Sequence, residues 1–229
     1  MAIPYEAFLP EILPMVPGCP DSLIESSVRS AAIEFCQRSE AYQIDLDPVT
    51  TVDRIYEYDL DSPRGTSVQK ILWATHQGRD LEPVTTTLLE QRLPRWREKG
   101  QEGVPKFFVQ QSSKTFHLAP VPATKVVNGT IVRAVLKPTF ESTACDDDVM
   151  TDYRDTIING ALFRLLRMPN KEWSDLTSAA VYGQLFNQGV EEAERRARKA
   201  DTAVTRKVKY GGASAGAWRT RGRRYGRGG

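Results

Sequence analysis

Two helical patterns, joined by a short break, occupy residues 146–201 and constrain the fold more than any other part of the chain. The first, DDDVMTDYRDTIINGALFRLLR, begins with acids and ends near arginines, the charge distribution that a helix dipole favours. The second, SDLTSAAVYGQLFNQGVEEAERRARKA, contains three glutamates, each four residues before an arginine, which stabilises a solvated helix. The break MPNKEW therefore predicts an antiparallel helical hairpin. The apolar stripe of the first helix is Val149, Tyr153, Ile157, Ala161 and Leu165.

The N-terminal part predicts a proline-rich segment followed by one helix. Residues 1–20 contain five prolines that interrupt their apolar residues, so neither a signal peptide nor a membrane span is predicted. Residues 21–43 contain SLIESSVRSAAIEFCQRS, in which Ser22 and Glu25 have the spacing of a capping box. We therefore predict a helix here. Its apolar face consists of Ile24, Val28, Ala31 and Phe35.

Residues 44–145 are predicted to be rich in short β-strands. Apolar residues alternate in RIYEYDL, and VQKILWATHQGRDLEPV predicts two strands around a turn at Gln77 and Gly78. A short helix is predicted to start at Thr87, with Glu90 at capping spacing, and to end before Pro94. Further strands are predicted in KFFVQQ, TFHLA and GTIVRAVLKP.

Taken together, these patterns predict an α+β fold. An N-terminal helix and a C-terminal helical hairpin pack with a small antiparallel β-sheet or sandwich, and an extended C-terminal tail follows. The predicted segments are residues 1–20, 21–43, 44–145, 146–201 and 202–229.

Aromatic residues that alternate along the predicted strands are expected in the core or in an interface. A base-stacking surface would need basic residues interleaved on the same strands, and these are missing. The basic segment RLPRWREKG around Trp96 is predicted to be a solvated loop, and contact with a partner is the alternative. The aromatic residues are Tyr56, Tyr58, Trp73, Phe107, Phe108 and Phe116.

The sequence contains no cluster of reactive groups typical of an enzyme. The acids Asp146–Asp148 with Asp152 could hold a hard cation, but they lack the glycine hinge and distal glutamate of a calcium loop. Acids ahead of a helix are also expected simply as caps. His76 and His117 lie in predicted strands with no nucleophile pattern beside them.

Neither the cysteines nor any short motif predicts a disulfide framework, a metal site or a catalytic site. Cys19, Cys36 and Cys145 have neither disulfide-framework nor zinc-site spacing, so reduced thiols are expected. The sequence contains no GxSxG, Walker-type or GxGxxG motif. We therefore predict no catalytic residue, no metal site and no cofactor, and a protein that is not an enzyme.

The last 28 residues, 202–229, differ from the rest of the chain: they hold seven glycines, eight cations and no acid. Such a segment cannot bury enough surface to fold alone. Of the 31 lysines and arginines eight lie here, so the preceding residues hold 23 against 29 acids and carry a net charge of −6. Nucleic-acid phosphates or an acidic protein groove could bind the segment, and a solubilising end without a partner is the third possibility.

Two long segments resemble the head-to-tail adaptor (connector) proteins of tailed bacteriophages, especially those of the short-tailed type. The order is LPEILPMVPGCPDSLIESSVRSAAIEFCQRS, then a β region, then GALFRLLRMPNKEWSDLTSAAVYGQLFNQGVEEAERRAR. The most characteristic motifs are VPGCP with AAIEFC, and the link LLRMPNKEWSD. The likeness covers about residues 1–200.

The resemblance implies a structural virion protein at the head–tail interface, assembled in the host cytoplasm. It implies a homo-oligomeric ring, a dodecamer, that lies beneath the portal protein, meets a downstream tail or nozzle protein and surrounds passing DNA, with no membrane partner. The basic tail would then anchor the ring to the portal. The alternative is a nucleic-acid-binding protein that uses an RGG-like tail. The residues expected to bind the portal are Trp218, Arg219, Arg221, Arg223, Arg224, Tyr225 and Arg227.

Overall fold

The computed structural model describes residues 2–199, which form helices and short strands in the predicted α+β arrangement. This confirms the predicted fold class, while the predicted extended tail lies outside the described residues. The helices are α1 (Leu9–Ile12), α2 (Asp21–Ser39), α3 (Thr86–Arg92), α4 (Asp147–Asp152), α5 (Arg154–Leu166) and α6 (Leu176–Lys199). The strands are β1 (Ala2–Pro4), β2 (Gln43–Asp45), β3 (Val49–Thr51), β4 (Glu57–Asp59), β5 (Thr66–His76), β6 (Arg79–Asp80), β7 (Glu82–Pro83), β8 (Phe107–Gln110), β9 (Thr115–Ala119), β10 (Val126–Pro138) and β11 (Ala144–Asp146).

The largest sheet is organised around β10, the longest strand. Its order is β2–β10–β5–β6, β3 also pairs with β10, and all of these pairs are antiparallel. The predicted turn joins β5 to β6, with Gln77 and Gly78 at positive φ values of 51° and 73°. This backbone matches the twist of a tight hairpin, and glycine adopts it without steric cost.

A second, four-stranded sheet has the order β4–β9–β8–β7. Its pairs are antiparallel except β7 with β8, which run parallel, so the predicted antiparallel pattern fails for that pair. The pair is parallel because α3 and the loop after it separate the two strands and return the chain in the same direction. A small separate core is formed on this sheet by Leu89, Trp96, Val109, Ala119 and Val121.

Helix α2 lies between the larger sheet and the hairpin. Because α2 packs on β10 and also on α5 and α6, the buried residues of this helix cover a large part of its circumference. The N-terminal segment, the sheets and the hairpin all contribute to one continuous core. Layers of helix and sheet that share one core are the expected solution for amphipathic elements in a chain of this length.

The two predicted capping boxes are wrong. Helix α2 begins at Asp21 after Pro20, whose φ of −64° and ψ of 138° set the helix start and whose carbonyl accepts from the Leu23 amide at 2.9 Å. Helix α3 begins one residue before the predicted Thr87, and Thr85 is its cap because its side chain accepts from the Leu88 amide at 3.3 Å.

The predicted first helix of the hairpin is divided in two at Tyr153. This residue has φ −118° and ψ 24°, outside the helical region, and it separates α4 from α5. Its ring packs on Phe35 of α2 with the centroids 4.8 Å apart. The break lets α4 contact β1 and β11 while α5 packs along α2 and α6.

Helices α5 and α6 approach closely because glycine occupies the crossing point. A Cβ atom added at Gly160 would lie 2.7 Å from Cδ2 of Phe186 and 3.0 Å from Cβ of Ala31. Phe186 is buried in α6 and Ala31 in α2, so all three helices meet here. Arg164 of α5 pairs with Glu34 of α2 beside this contact.

Strand β1 ties the N-terminal segment to the start of α4 by pairing with β11. Next to this pair the hydroxyl of Tyr5 lies 2.8 Å from Oγ of Ser142. Because Ser142 donates its hydrogen to the Thr139 carbonyl, Tyr5 donates to Ser142. Burial raises the pKa of Tyr5 to about 12.

Replacing Tyr5 by phenylalanine is expected to lower the free energy of unfolding by about 1 kcal/mol near neutral pH, since a buried hydrogen bond is lost. In the unfolded chain tyrosine ionises near pH 10. The raised pKa therefore stabilises the native protein fully below pH 10, and this contribution is lost as the pH rises towards 12. Urea denaturation at pH 8 and 11 should show the gap between wild type and Tyr5→Phe shrinking; a constant gap contradicts the raised pKa.

Candidate interaction surfaces

The acidic cluster at the start of α4 caps this helix. Asp146 accepts from the Asp148 amide at 3.1 Å, and Asp147 accepts from the Thr151 hydroxyl at 3.0 Å. The Asp148 amide belongs to the first turn of α4, so the contact of Asp146 is the cap that the capping interpretation predicts. Within residues 2–199 no three His, Cys, Asp or Glu side chains are grouped so that they could hold a metal ion.

The two histidines are buried in different sheets. Nδ1 of His76, in β5, lies 2.9 Å from Oγ1 of Thr130. His117, in β9, packs edge-on against Tyr56 with centroids 5.1 Å apart. Burial lowers the pKa of both imidazoles, which favours their neutral form. The contacts of each histidine are those of a packed side chain.

The three cysteines are free thiols and all are buried. Cys36, near the end of α2, is hydrogen-bonded to Cys145 of β11, and this bond together with burial raises its pKa well above the usual value. Burial also raises the pKa of Cys19. A raised pKa lowers the fraction of reactive thiolate.

Most of the strand aromatics lie in or against a core, as predicted, but Trp73 does not. The side chain of Trp73 is 41% exposed on β5. These aromatic residues are predicted to lie either in the core or in an interface. Because Trp73 is exposed, it is a candidate for an interface. Tyr58, Phe108 and Phe116 are in the main core, and Tyr56 and Phe107 pack on the smaller one.

Most residues of the segment 92–100 are exposed, which agrees with the predicted solvated loop, but Trp96 is not. Trp96 is only 2% exposed and is part of the small core under the four-stranded sheet. The guanidinium of Arg97 lies 4.5 Å from its ring centroid, a cation–π contact. Each of the three arginines of the segment has an acidic neighbour, so the guanidinium groups form no free basic patch. The ion pairs are Arg92–Glu82 at 2.6 Å, Arg97–Glu90 at 3.3 Å and Arg95–Glu98 at 3.8 Å.

The N-terminal half of α6 exposes a face without charge. Residues 176–190 contain no Asp, Glu, Lys or Arg, whereas seven of the nine residues from 191 to 199 are charged. Val181 and Leu185, one turn apart, are 52% and 43% exposed. Exposed helix faces normally carry charges, so the absence of charge is a sequence signal that the prediction of the hairpin did not use. This α6 face consists of Thr177, Ala180, Val181, Gln184, Leu185 and Gln188.

A second uncovered surface lies on the larger sheet. Trp73 pairs with Arg133 across β5 and β10, and the next pair along, Thr75 with Ile131, points to the same side. Ile131 is 40% exposed. Arg133 forms an ion pair with Asp45 of β2 at 3.1 Å. The Trp73 face consists of Asp45, Trp73, Thr75, Ile131 and Arg133.

No described helix is both long enough and apolar enough to cross a membrane. The residues predicted to bind a portal lie outside the described residues, so the structure does not place them. They are Trp218, Arg219, Arg221, Arg223, Arg224, Tyr225 and Arg227.

Comparison with known proteins gives a family for most of the chain. The family model described as SU10 adaptor protein matches residues 13–207. The matched range contains the larger sheet, the four-stranded sheet and the whole hairpin, and thus both uncovered faces. No curated protein matches the chain.

Proposed function

Because the chain belongs to the SU10 adaptor protein family, we propose that it forms a ring beneath the portal of a short-tailed bacteriophage and joins the head to the tail. The family match over residues 13–207 carries this proposal. It supports the coarser prediction of a phage adaptor, a structural component of the virion. The ring, the portal contact and the DNA channel are the more specific parts of this proposal.

The charge of residues 1–201 suits a channel for DNA. These residues carry a net charge of −6, so the part of a ring that they form is negative, while the tail adds eight positive charges and brings the whole chain to +2. A negative lumen repels the phosphate backbone and does not hold the DNA that moves through it. We assign twelve copies to this ring, following the family resemblance, and a downstream tail or nozzle protein as its second partner.

In this proposal the basic tail, residues 202–229, anchors the ring to the portal. It follows directly after α6 and the last acid, Asp201. Fully extended, its 28 residues span roughly 90 Å at about 3.3 Å each, enough to reach a neighbouring ring. Arginine forks bind carboxylates bidentately, and Trp218 and Tyr225 supply aromatic anchors. Repetition around the ring multiplies a weak contact through effective concentration.

Deletion of residues 202–229 tests the anchor. We expect the truncated protein to lose binding to isolated portal rings by at least about a hundredfold, since the multivalent contact is removed. A matched variant in which the five arginines from Arg219 to Arg227 become lysines keeps the charge but loses bidentate pairing. It should bind with intermediate affinity. Co-sedimentation with portal rings measures both, and unchanged binding of the truncated protein contradicts the proposal.

The eight cations of the tail also favour a second candidate function, nucleic-acid binding. Duplex DNA titrated against the full chain and the truncated chain separates the two. Phosphate binding weakens with salt, with a slope of about −0.9 per neutralised phosphate in the plot of log affinity against log salt. Tail-dependent DNA binding with that slope, together with tail-independent portal binding, would favour the second function.

A further inference from the structure

The α6 face and the Trp73 face lie on opposite sides of the molecule. Helix α2 packs on β10 and also on α5 and α6, so it separates the sheet from the hairpin. The buried residues of α6, Ala179, Gly183 and Phe186, point towards the other helices, and the α6 face therefore points away from the sheet. The buried neighbours of Trp73 on the strand point towards the main core, so the Trp73 face points away from the helices.

Two different uncovered surfaces on opposite sides of one chain are what a head-to-tail interface requires. In such an interface each copy uses one surface for the preceding copy and the other for the next, and the series closes into a ring. A two-fold dimer, in contrast, uses the same surface on both copies. We propose that the α6 face of one copy binds the Trp73 face of the next copy, and this proposal rests on the ring proposed above.

The charges favour a second copy as the occupant of these faces. Residues 1–201 of each copy carry a net charge of −6, so these parts of two copies repel one another, whereas the tail adds eight positive charges and brings the whole chain to +2. The α6 face carries no charge, and Arg133 on the Trp73 face is already paired with Asp45 at 3.1 Å. Contact between these two faces therefore leaves no charge buried without a partner.

The side chains also have the composition of an interface core. Exposed tryptophan is the residue type most enriched among the residues that dominate binding energy, and aliphatic side chains around it exclude water. Val181 and Leu185 are one turn apart on α6, and Trp73 lies diagonally to Ile131 on the sheet. An uncharged helix face against a sheet face is a packing that layers of secondary structure commonly adopt.

Cross-linking tests the head-to-tail arrangement directly. The native cysteines are buried, so an introduced surface cysteine is the main target of a short bis-maleimide. The full chain carrying both Thr75→Cys and Gln184→Cys, which keeps Trp73 and Val181 in place, is assembled on portal rings and is expected to give a ladder of covalent multimers beyond the dimer. Each single variant should give no ladder, because a head-to-tail contact brings the two positions of different copies together and not identical positions.

A matched control moves the cysteine on the sheet to a position outside both faces. Phe140 is 75% exposed and lies outside both faces. The pair Phe140→Cys with Gln184→Cys should give no ladder. Equal ladders from this pair and the Thr75 pair overturn the assigned contact, as do dimers from either single variant.

A second variant separates this inference from the proposed function. Trp73→Glu should raise the concentration needed for half-assembly of copies by at least about tenfold, with an unchanged circular dichroism melting temperature. Portal binding by single copies through the tail should persist.

If Trp73→Glu assembles normally, the contact is wrong while the adaptor function stands. If the wild-type chain does not bind portal rings, the proposed function fails. If Trp73→Glu lowers the affinity of single copies for the portal, the Trp73 face binds the portal and the inference is overturned.

Discussion

Replacing Trp96 by alanine is expected to lower the free energy of unfolding by about 3–5 kcal/mol, the range for removing a large buried aromatic side chain. Trp96 is 2% exposed and fills the small core with Leu89, Val109 and Val121. These partners come from α3, from the four-stranded sheet and from the loop after it, so the cavity would affect all of them. Urea denaturation of the wild type and the variant measures the difference.

Two further variants make this prediction specific. Trp96→Phe keeps most of the apolar volume and removes an indole N–H that is buried without a hydrogen-bond partner, so it should cost much less. Arg95→Ala, in the same segment, removes a side chain that is 78% exposed and should change stability by less than about 0.5 kcal/mol. A loss below about 1 kcal/mol for Trp96→Ala would contradict the burial of this side chain in the small core.

Replacing Gly160 by alanine is expected to lower the free energy of unfolding by about 1–3 kcal/mol, the usual cost of overpacking a core. In an exposed helix the same change would stabilise by roughly 1 kcal/mol. Here the new Cβ would lie 2.7 Å from the Phe186 ring and 3.0 Å from Ala31, and neither neighbour has space to move. Thermal and urea denaturation both measure the change.

Gly183→Ala is the matched comparison on the facing helix. Its Cβ would lie 3.0 Å from Cδ2 of Phe163, whose ring is only partly buried and can rotate outward. The gain in helix propensity should then offset the contact, and the stability should change by less than about 0.5 kcal/mol. Equal effects of the two substitutions would show that the crossing at Gly160 is not tightly packed.

The elements predicted correctly are those defined by local interactions. Helix α6 begins after Asp175, whose carboxylate accepts from the Thr177 and Ser178 amides at 3.0 and 3.2 Å. It ends among Glu–Arg pairs such as Glu194–Arg198 at 2.5 Å. The Gln77–Gly78 turn is likewise specified by two adjacent residues. Such signals depend on neighbours in sequence, and the sequence shows them directly.

The errors concern residues whose environment is set by distant segments. The charged neighbours of Trp96 indicate a solvated side chain, but α3, β8, β9 and the loop after β9 bring together the aliphatic side chains that bury it. Tyr153 fits a helical stripe, but its contact with Phe35, far away in sequence, accompanies a break in the helix. A single sequence carries no direct record of such long-range contacts.

The candidate surfaces were partly visible in the sequence. The charge-free stretch 176–190 and the alternation that includes Trp73 are both sequence patterns. What they did not reveal is that these residues remain uncovered after the fold forms, since this depends on how α2 separates the sheet from the hairpin. The distinction between a core face and an interface face therefore required the tertiary structure.

The pairing of β10 with β2, β3 and β5 has a consequence for synthesis on the ribosome. The larger sheet cannot close until translation has passed Pro138, and the side of α2 that packs on α6 stays uncovered until α6 has emerged. Nascent chains therefore present the apolar sides of α2 and β5 for most of elongation, a state that chaperones recognise. Truncated products that stop before β10 lack the central strand of the sheet and should be cleared by host proteases.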